Sequence, residues 1–160
     1  MRLSVEEEYR RYADRVFAAA FSVCRNRADA DDVVQDTFLK YYTRDQAYES
    51  EEHLRAWLLR VAINRARDST ASCGRRNKVA CEEFMGELTF AAPEDSRLFE
   101  AVMRLPDKYR VVVHLHYYED YSVSEIARLL QSREGTVKSQ LSRARALLKT
   151  MLKEEWDDDE

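Results

Sequence analysis

Residues 121–149 read YSVSEIARLLQSREGTVKSQLSRARALLK. This stretch constrains the fold more than any other. Ser122 followed by Glu125 is a capping box, in which the Ser122 hydroxyl accepts from the Glu125 amide and the Glu125 carboxylate reaches back. The helix it opens, 123–130, buries Ile126, Leu129 and Leu130. A short turn follows, then a second helix from about 134 that packs Val137, Leu141, Ala144 and Leu148 inward and turns Ser139, Ser142, Arg143 and Ala146 away. Two helices joined by so few residues must cross, and each has one apolar face that needs cover. That arrangement is a helix-turn-helix.

The exposed face of the second helix suits a nucleic acid. Gly135, Thr136 and Ser139 are small, so the backbone can approach a groove closely. Thr136 and Ser139 can bond phosphates or base edges, and Lys138, Arg143 and Arg145 can neutralise phosphates or read guanine. The alternative is a solvated basic face. The charge pattern favours a binding surface. The 160-residue chain is net -4, yet residues 121–150 hold six basic and two acidic groups and residues 51–80 hold seven and three. Both blocks are net +4, and the acids lie between and after them.

Only three glycines and two prolines interrupt the chain, a composition that favours helices with short connections. Residues 5–24 place Tyr9, Val16, Ala20 and Val23 at helical spacing with Tyr12 alongside. A second helix, about 29–42, opens on Asp29, Asp31 and Asp32, which suit the positive end of a helix dipole. Its stripe is Val34, Phe38 and Tyr41. Residues 43–52 are polar and non-periodic, hence a loop. A third helix starts near Glu52 and buries Leu54, Leu58, Val61 and Ala62. Arg60, Asn64 and Arg67 cluster on another of its faces, with Trp57 at the border. Periodicity then fails over 73–96, apart from a possible short helix around 81–88. Residues 97–105 are helical again, and Pro106 opens a helix over 107–118 carrying Tyr109, Val112, Val113, Leu115 and Tyr117.

The fold class is therefore all-α, two small helical domains joined by a flexible linker, the C-terminal one containing the helix-turn-helix. The boundaries are 1–76, a linker over 77–97, 98–153, and an acidic tail over 154–160. No run of 18 apolar residues and no signal-peptide core occur, so the expectation is a cytoplasmic chain without membrane insertion. Cys24, Cys73 and Cys81 form no CxxC pair, and reduced thiols are expected. A zinc site would need His114 and His116 with Glu119, or His53 with Cys73 and Cys81; His114 and His116 are two residues apart on a helix, point to different sides and chelate poorly. No nucleophile elbow, P-loop or HExxH is present. No metal, no cofactor and no catalytic residue are expected.

Several of these segments resemble one family together. The helix-turn-helix stretch looks like the DNA-binding domain of bacterial sigma factors of the sigma-70 family, in the small extracytoplasmic-function group. LPDKYRVVVHLHYYEDYS resembles the start of that domain. DADDVVQDTFLKYY followed by HLRAWLLRVAINRARDSTASCGRR is similar to the other conserved domain of the same group. The resemblance implies a factor that binds core RNA polymerase and directs promoter-specific initiation. A stand-alone helix-turn-helix regulator would explain only the C-terminal half.

By resemblance, Asp32, Gln35, Asp36 and Leu39 dock on the polymerase. Tyr48, Arg60, Asn64 and Arg67 lie near the melted minus-ten element, where Tyr48 could stack on a base or simply fill a gap. Glu134, Gly135, Thr136, Lys138, Ser139, Ser142, Arg143 and Arg145 meet the minus-thirty-five element. Val111, Leu115, Tyr117 and Tyr118 are candidates for a polymerase-flap contact, or core. The implied partners are core RNA polymerase, promoter DNA and an inhibitory anti-sigma factor, with a monomer when free. Two positions depart from the family pattern. Gln131 stands where glycine is common in the turn, and Ser132, in an apolar position, is suited to cap the recognition helix.

Overall fold

The computed structural model describes residues 5–44, 48, 50–73 and 93–158, with side chains over 6–44, 48, 50–68 and 97–153. No strand occurs among the described residues. The chain divides into two compact units, Met1–Lys78 and Val79–Glu160.

The first unit is built from α1 (Val5–Cys24), α2 (Arg27–Thr43) and α3 (Glu51–Cys73), each packed against the other two. The line that α1 buries runs through Glu8, Tyr12, Val16, Ala19 and Val23. Tyr9, expected in that stripe, is 45% exposed and lays its ring against Phe38 at 5.0 Å. The register passes through Glu8 instead, four residues before Tyr12. Arg25, with φ 51°, ends α1, and its amide bonds the Phe21 carbonyl at 2.9 Å. Asn26 then caps α2, accepting from the Asp29 amide at 2.9 Å, which satisfies one of the donors a helix start leaves open. Ser50 plays the same part for α3, accepting from the His53 amide at 3.1 Å.

Val33, Val34, Thr37, Phe38 and Tyr41 of α2 meet Leu54, Leu58, Leu59, Ala62, Ile63 and Ala66 of α3 in the interior. Val61, expected in that stripe, is half-buried. Each large aliphatic or aromatic group taken fully from water contributes roughly 1.5–3 kcal/mol. Cys24 is buried, and its thiol donates to the Asn26 carbonyl at 3.5 Å.

The second unit contains α4 (Pro93–Arg104), α5 (Asp107–Val113), α6 (Val123–Leu130) and α7 (Glu134–Asp158). Helix α4 begins at Pro93, four residues ahead of the expected start, with proline at the first position, where its missing N–H costs nothing. Only 77–92 of the expected linker, with its possible helix at 81–88, Cys81 and the end of the acidic tail, lie outside the described residues; so does the side chain of Cys73.

The segment after Pro106 is not one α-helix. Its last five residues, His114–Tyr118, form a π-helical turn. The Glu119 amide reaches the His114 carbonyl at 3.2 Å, a five-residue step. Tyr109 through Leu115 are all buried, making this helix the centre of the unit. Tyr117 and Tyr118, just beyond, are about half exposed, at 50% and 51%. Arg110 lies fully buried there. One Nη donates to the Leu105 carbonyl at 2.8 Å and the other to Asp107 at 2.5 Å, which compensates in part for removing the charge from water.

The capping box forms as the sequence predicts, with both bonds at 3.1 Å. Helix α6 ends in a Schellman motif. Gln131 adopts the left-handed conformation, φ 55° and ψ 47°, and its amide bonds the Arg128 carbonyl at 3.3 Å, while the Ser132 amide bonds the Ala127 carbonyl at 2.8 Å. Ser132 therefore serves the end of α6 with its backbone. The recognition helix starts two residues later, with the Val137 amide on the Arg133 carbonyl at 3.1 Å.

Candidate nucleic-acid and protein interfaces

Helix α7 buries Val137, Leu141, Ala144 and Leu148 against the rest of the second unit. At about 100° per residue, the face opposite this stripe is Gly135, Ser139, Ser142, Arg143 and Ala146, and all five are exposed. A Cβ added at Gly135 would meet nothing within 4 Å. Glycine there is helical with no positive φ, so nothing in the folded chain requires it.

The sequence-predicted residues fall on two sides of this helix. Gly135, Thr136, Ser139 and Arg143 line one open depression, and Lys108 of α5 and Arg133 of the turn complete it. Sequence reasoning missed Lys108. It is far along the chain and reaches the depression only because α5 packs on α7; its ammonium lies 5.1 Å from the Tyr109 ring. Lys138 and Arg145 lie on the other flank, with Lys149 one turn further on. Arg145 donates its Nε–H to the Tyr117 hydroxyl at 2.5 Å, with the guanidinium 5.7 Å from the ring centre. Among the described residues no carboxylate pairs with Lys108, Arg133, Lys138, Arg143, Arg145 or Lys149. Among the described residues, these six cations face solvent without a carboxylate partner.

Of the expected flap-facing group, Val111 and Leu115 are 2% and 0% exposed and belong to the core. Apolar residues in the central helix of a three-sided packing have no surface to offer. Tyr117 and Tyr118 remain accessible. His114 stacks on Tyr118 at 5.5 Å. Burial pushes its imidazole down to about 4, which keeps it neutral.

In the first unit Asp32, Gln35 and Leu39 are exposed on α2, Leu39 at 62%. Asp36 sits beside them and accepts from Arg65 Nε at 2.8 Å. That hydrogen bond, with the attraction of the carboxylate, holds the Arg65 guanidinium above its ordinary range. The exposed Leu39 thus lies on the same helix face as Asp32, Gln35 and Asp36.

Arg60, Asn64 and Arg67 are exposed on α3, spaced four and three residues apart and so along one face. Tyr48 is half-buried. Its ring packs on Tyr41 at 5.6 Å, Trp57 at 5.8 Å and His53 at 5.5 Å. The Arg44 guanidinium lies 5.4 Å from the centre of the Trp57 ring. The structure thus brings Tyr48 into an aromatic cluster with one cation, Arg44, beside it, a combination suited to stacking and backbone contact with single-stranded nucleic acid. Arg44 and His53 join it only through the tertiary fold. Among the described residues no group of three His, Cys, Asp or Glu could hold a metal ion, and no helix is long and apolar enough to cross a membrane.

The sigma-70 region 2 family model matches residues 8–76, and the sigma-70 region 4 model matches 96–148. The chain is 31% identical to the ECF RNA polymerase sigma factor SigL of Mycobacterium tuberculosis over 154 residues, covering 91% of this chain and 87% of that one. It is 24% identical to the ECF RNA polymerase sigma factor SigW of Bacillus subtilis over 160 residues, 89% and 86% of the two chains. The fold is shared with the sigma factor RpoE of Bartonella quintana, solved with the anti-sigma factor NepR. The TM-score is 0.69 at 22% identity, covering 92% of this chain and 96% of that one. The chain belongs to the sigma-70 family of RNA polymerase sigma factors, in the ECF group, and it binds core RNA polymerase and directs promoter-specific transcription initiation.

Proposed function

We propose a division of labour between the two units in which the chain lends specificity and strand separation to the polymerase and performs no chemistry itself. The domain boundaries are those read from the sequence, 1–76 and 98–153. Asp32, Gln35, Asp36 and Leu39 dock on core polymerase. Tyr48, Arg60, Asn64 and Arg67 hold the melted minus-ten element, with the Tyr48–Trp57 cluster as its stacking platform. Glu134, Gly135, Thr136, Lys138, Ser139, Ser142, Arg143 and Arg145 of α7 meet the minus-thirty-five element, with the helix in the major groove. The observation that carries this reading is the outward face of α7, small at Gly135 and Ser139, basic at Arg143, and without a neutralising acid among the described residues.

An inhibitory partner fits the same surfaces. Leu39 and Leu98 are exposed leucines, and a factor that waits for polymerase must cover such groups or leave them wet. One structural relative was solved with an anti-sigma factor, and a protein of that kind would hold this chain away from polymerase. The free chain is then a monomer in the cytoplasm.

The test is reconstitution. The purified chain is mixed with sigma-free core polymerase and fragmented genomic DNA of its source, and the transcripts are sequenced. Discrete starts sharing two upstream elements are expected. Retention of duplex DNA without polymerase binding or initiation would overturn the reading in favour of a stand-alone regulator.

A further inference from the structure

We propose that Tyr117, which lies outside the helix-turn-helix, is a positioning residue that holds the Arg145 guanidinium ready for a phosphate on one wall of the major groove. This rests on the reading that α7 enters that groove.

Arg145 follows Arg143 by two residues, about 200° around the helix, so the two cannot face the same partner group. Arg143 lies toward the outer face. Arg145 lies on the flank, between that face and the buried stripe. A helix with its side chains is about 10–12 Å across and the major groove about 12 Å wide. A flank residue of an inserted helix therefore looks at the sugar-phosphate wall rather than at base edges. Lys138 and Lys149 share this flank, seven residues before Arg145 and four after it. The row is the electrostatic footprint of one strand.

What distinguishes Arg145 within the row is that it is already held. Its Nε–H donates to the Tyr117 hydroxyl at 2.5 Å. The holder is neutral, so the positive charge is undiminished, and the remaining four N–H groups of the guanidinium stay available. Tyr117 is itself fixed. The His116 ring meets it edge-on at 4.8 Å and 81°. His116 Nδ1 lies 2.9 Å from the Tyr121 carbonyl, which can only accept, so Nδ1 carries the proton. Tyr121 is buried. A continuous set of contacts thus runs from the core through the π-helical turn to the guanidinium. A long side chain ordered before binding loses less freedom on binding, which corresponds to roughly two- to tenfold in affinity.

The experiment measures retention of a fluorescein-labelled duplex by holoenzyme made from core polymerase and the full chain. The duplex carries the upstream element of a start site mapped by the reconstitution above. Tyr117→Phe removes only the hydroxyl. It is expected to weaken binding about threefold. Arg145→Ala is expected to weaken it further and to lower the slope of log affinity against log salt by about 0.9. The double variant should be no weaker than Arg145→Ala alone, because the tyrosine acts through the arginine.

Equal weakening by Tyr117→Phe in both backgrounds, or none in either, overturns the proposal. Arg143→Ala separates it from the reading beneath it. If Arg143→Ala weakens binding and Tyr117→Phe does not, only the positioning role falls. If Arg143→Ala and Arg145→Ala both bind like the parent, α7 does not enter the groove, and the positioning role falls with that reading.

Discussion

Arg65 on α3 donates its Nε–H to Asp36 on α2 across 2.8 Å, beside the exposed Leu39. The pair ties the two helices at the point where the polymerase-facing surface is proposed, and it orients the Asp36 carboxylate. Asp36→Ala should weaken binding to core polymerase by about 1–2 kcal/mol, roughly 5- to 30-fold in Kd. Duplex binding through α7 should be unaffected. Arg143→Ala should do the reverse. Titration of each variant with core polymerase and, separately, with promoter duplex checks the split. Equal loss of polymerase affinity in both would show that the surfaces are not separate.

Gln131 holds φ 55° in a Schellman motif that glycine adopts without strain. Gln131→Gly should stabilise the second unit by about 0.5–1 kcal/mol, the relief of the left-handed backbone less the added freedom of the unfolded chain. Slower hydrogen exchange of the amides in 126–141 would report it.

Gly135 presents the opposite case. Nothing in the free protein lies within 4 Å of an added Cβ. Gly135→Ala should therefore raise helix stability by up to about 1 kcal/mol. It should also weaken duplex binding by about fivefold or more, about 1 kcal/mol, because the methyl group would keep the helix backbone from approaching the groove as closely. Stability and affinity moving in opposite directions is the outcome that separates a binding role from a folding one.

Arg110 is fully buried, and its two Nη groups serve the Leu105 carbonyl and Asp107. Arg110→Ala leaves a cavity and a carbonyl without its donor. A loss of about 3–5 kcal/mol is expected, enough to unfold the second unit while the first keeps its helices. Circular dichroism and exchange rates would show the partial loss.

His114 titrates about 4 in the folded chain against an ordinary value near 6.5. The unfolded chain thus binds the proton that the folded chain refuses. The stability associated with neutral His114 is complete above about pH 6.5 and is lost as pH falls toward 4. Exchange of the amides at 111–115 should quicken across that window. His114→Phe, which keeps a ring against Tyr118, should reduce the dependence by close to one proton.

Much of this was legible without coordinates. The Ser122–Glu125 box, the Val137–Leu148 stripe and the acid-rich start of α2 are local patterns, and local backbone chemistry enforces them wherever the chain goes. The outward face of α7 followed from the same periodicity. Other features depended on distant neighbours. Tyr9 has the spacing of a core residue, yet the packing of α1 on α2 and α3 puts Glu8 inward instead. Val111 and Leu115 are of types more often found in a core than on a docking surface, and being surrounded by the other helices of the unit puts them in the core.

Local residue pattern alone makes the chain helical, locates the helix-turn-helix and sets which side of its second helix faces out. Those properties rest on periodicity, capping and turn chemistry, all of which act within a few residues. Long-range packing is what brings Lys108 to the depression beside Arg143, Tyr48 into an aromatic cluster with Trp57, and Tyr117 against Arg145. Each of these joins residues that the backbone must fold to bring together. The π-helical turn at His114–Tyr118 sets where Tyr117 emerges, and no local propensity announces such a turn.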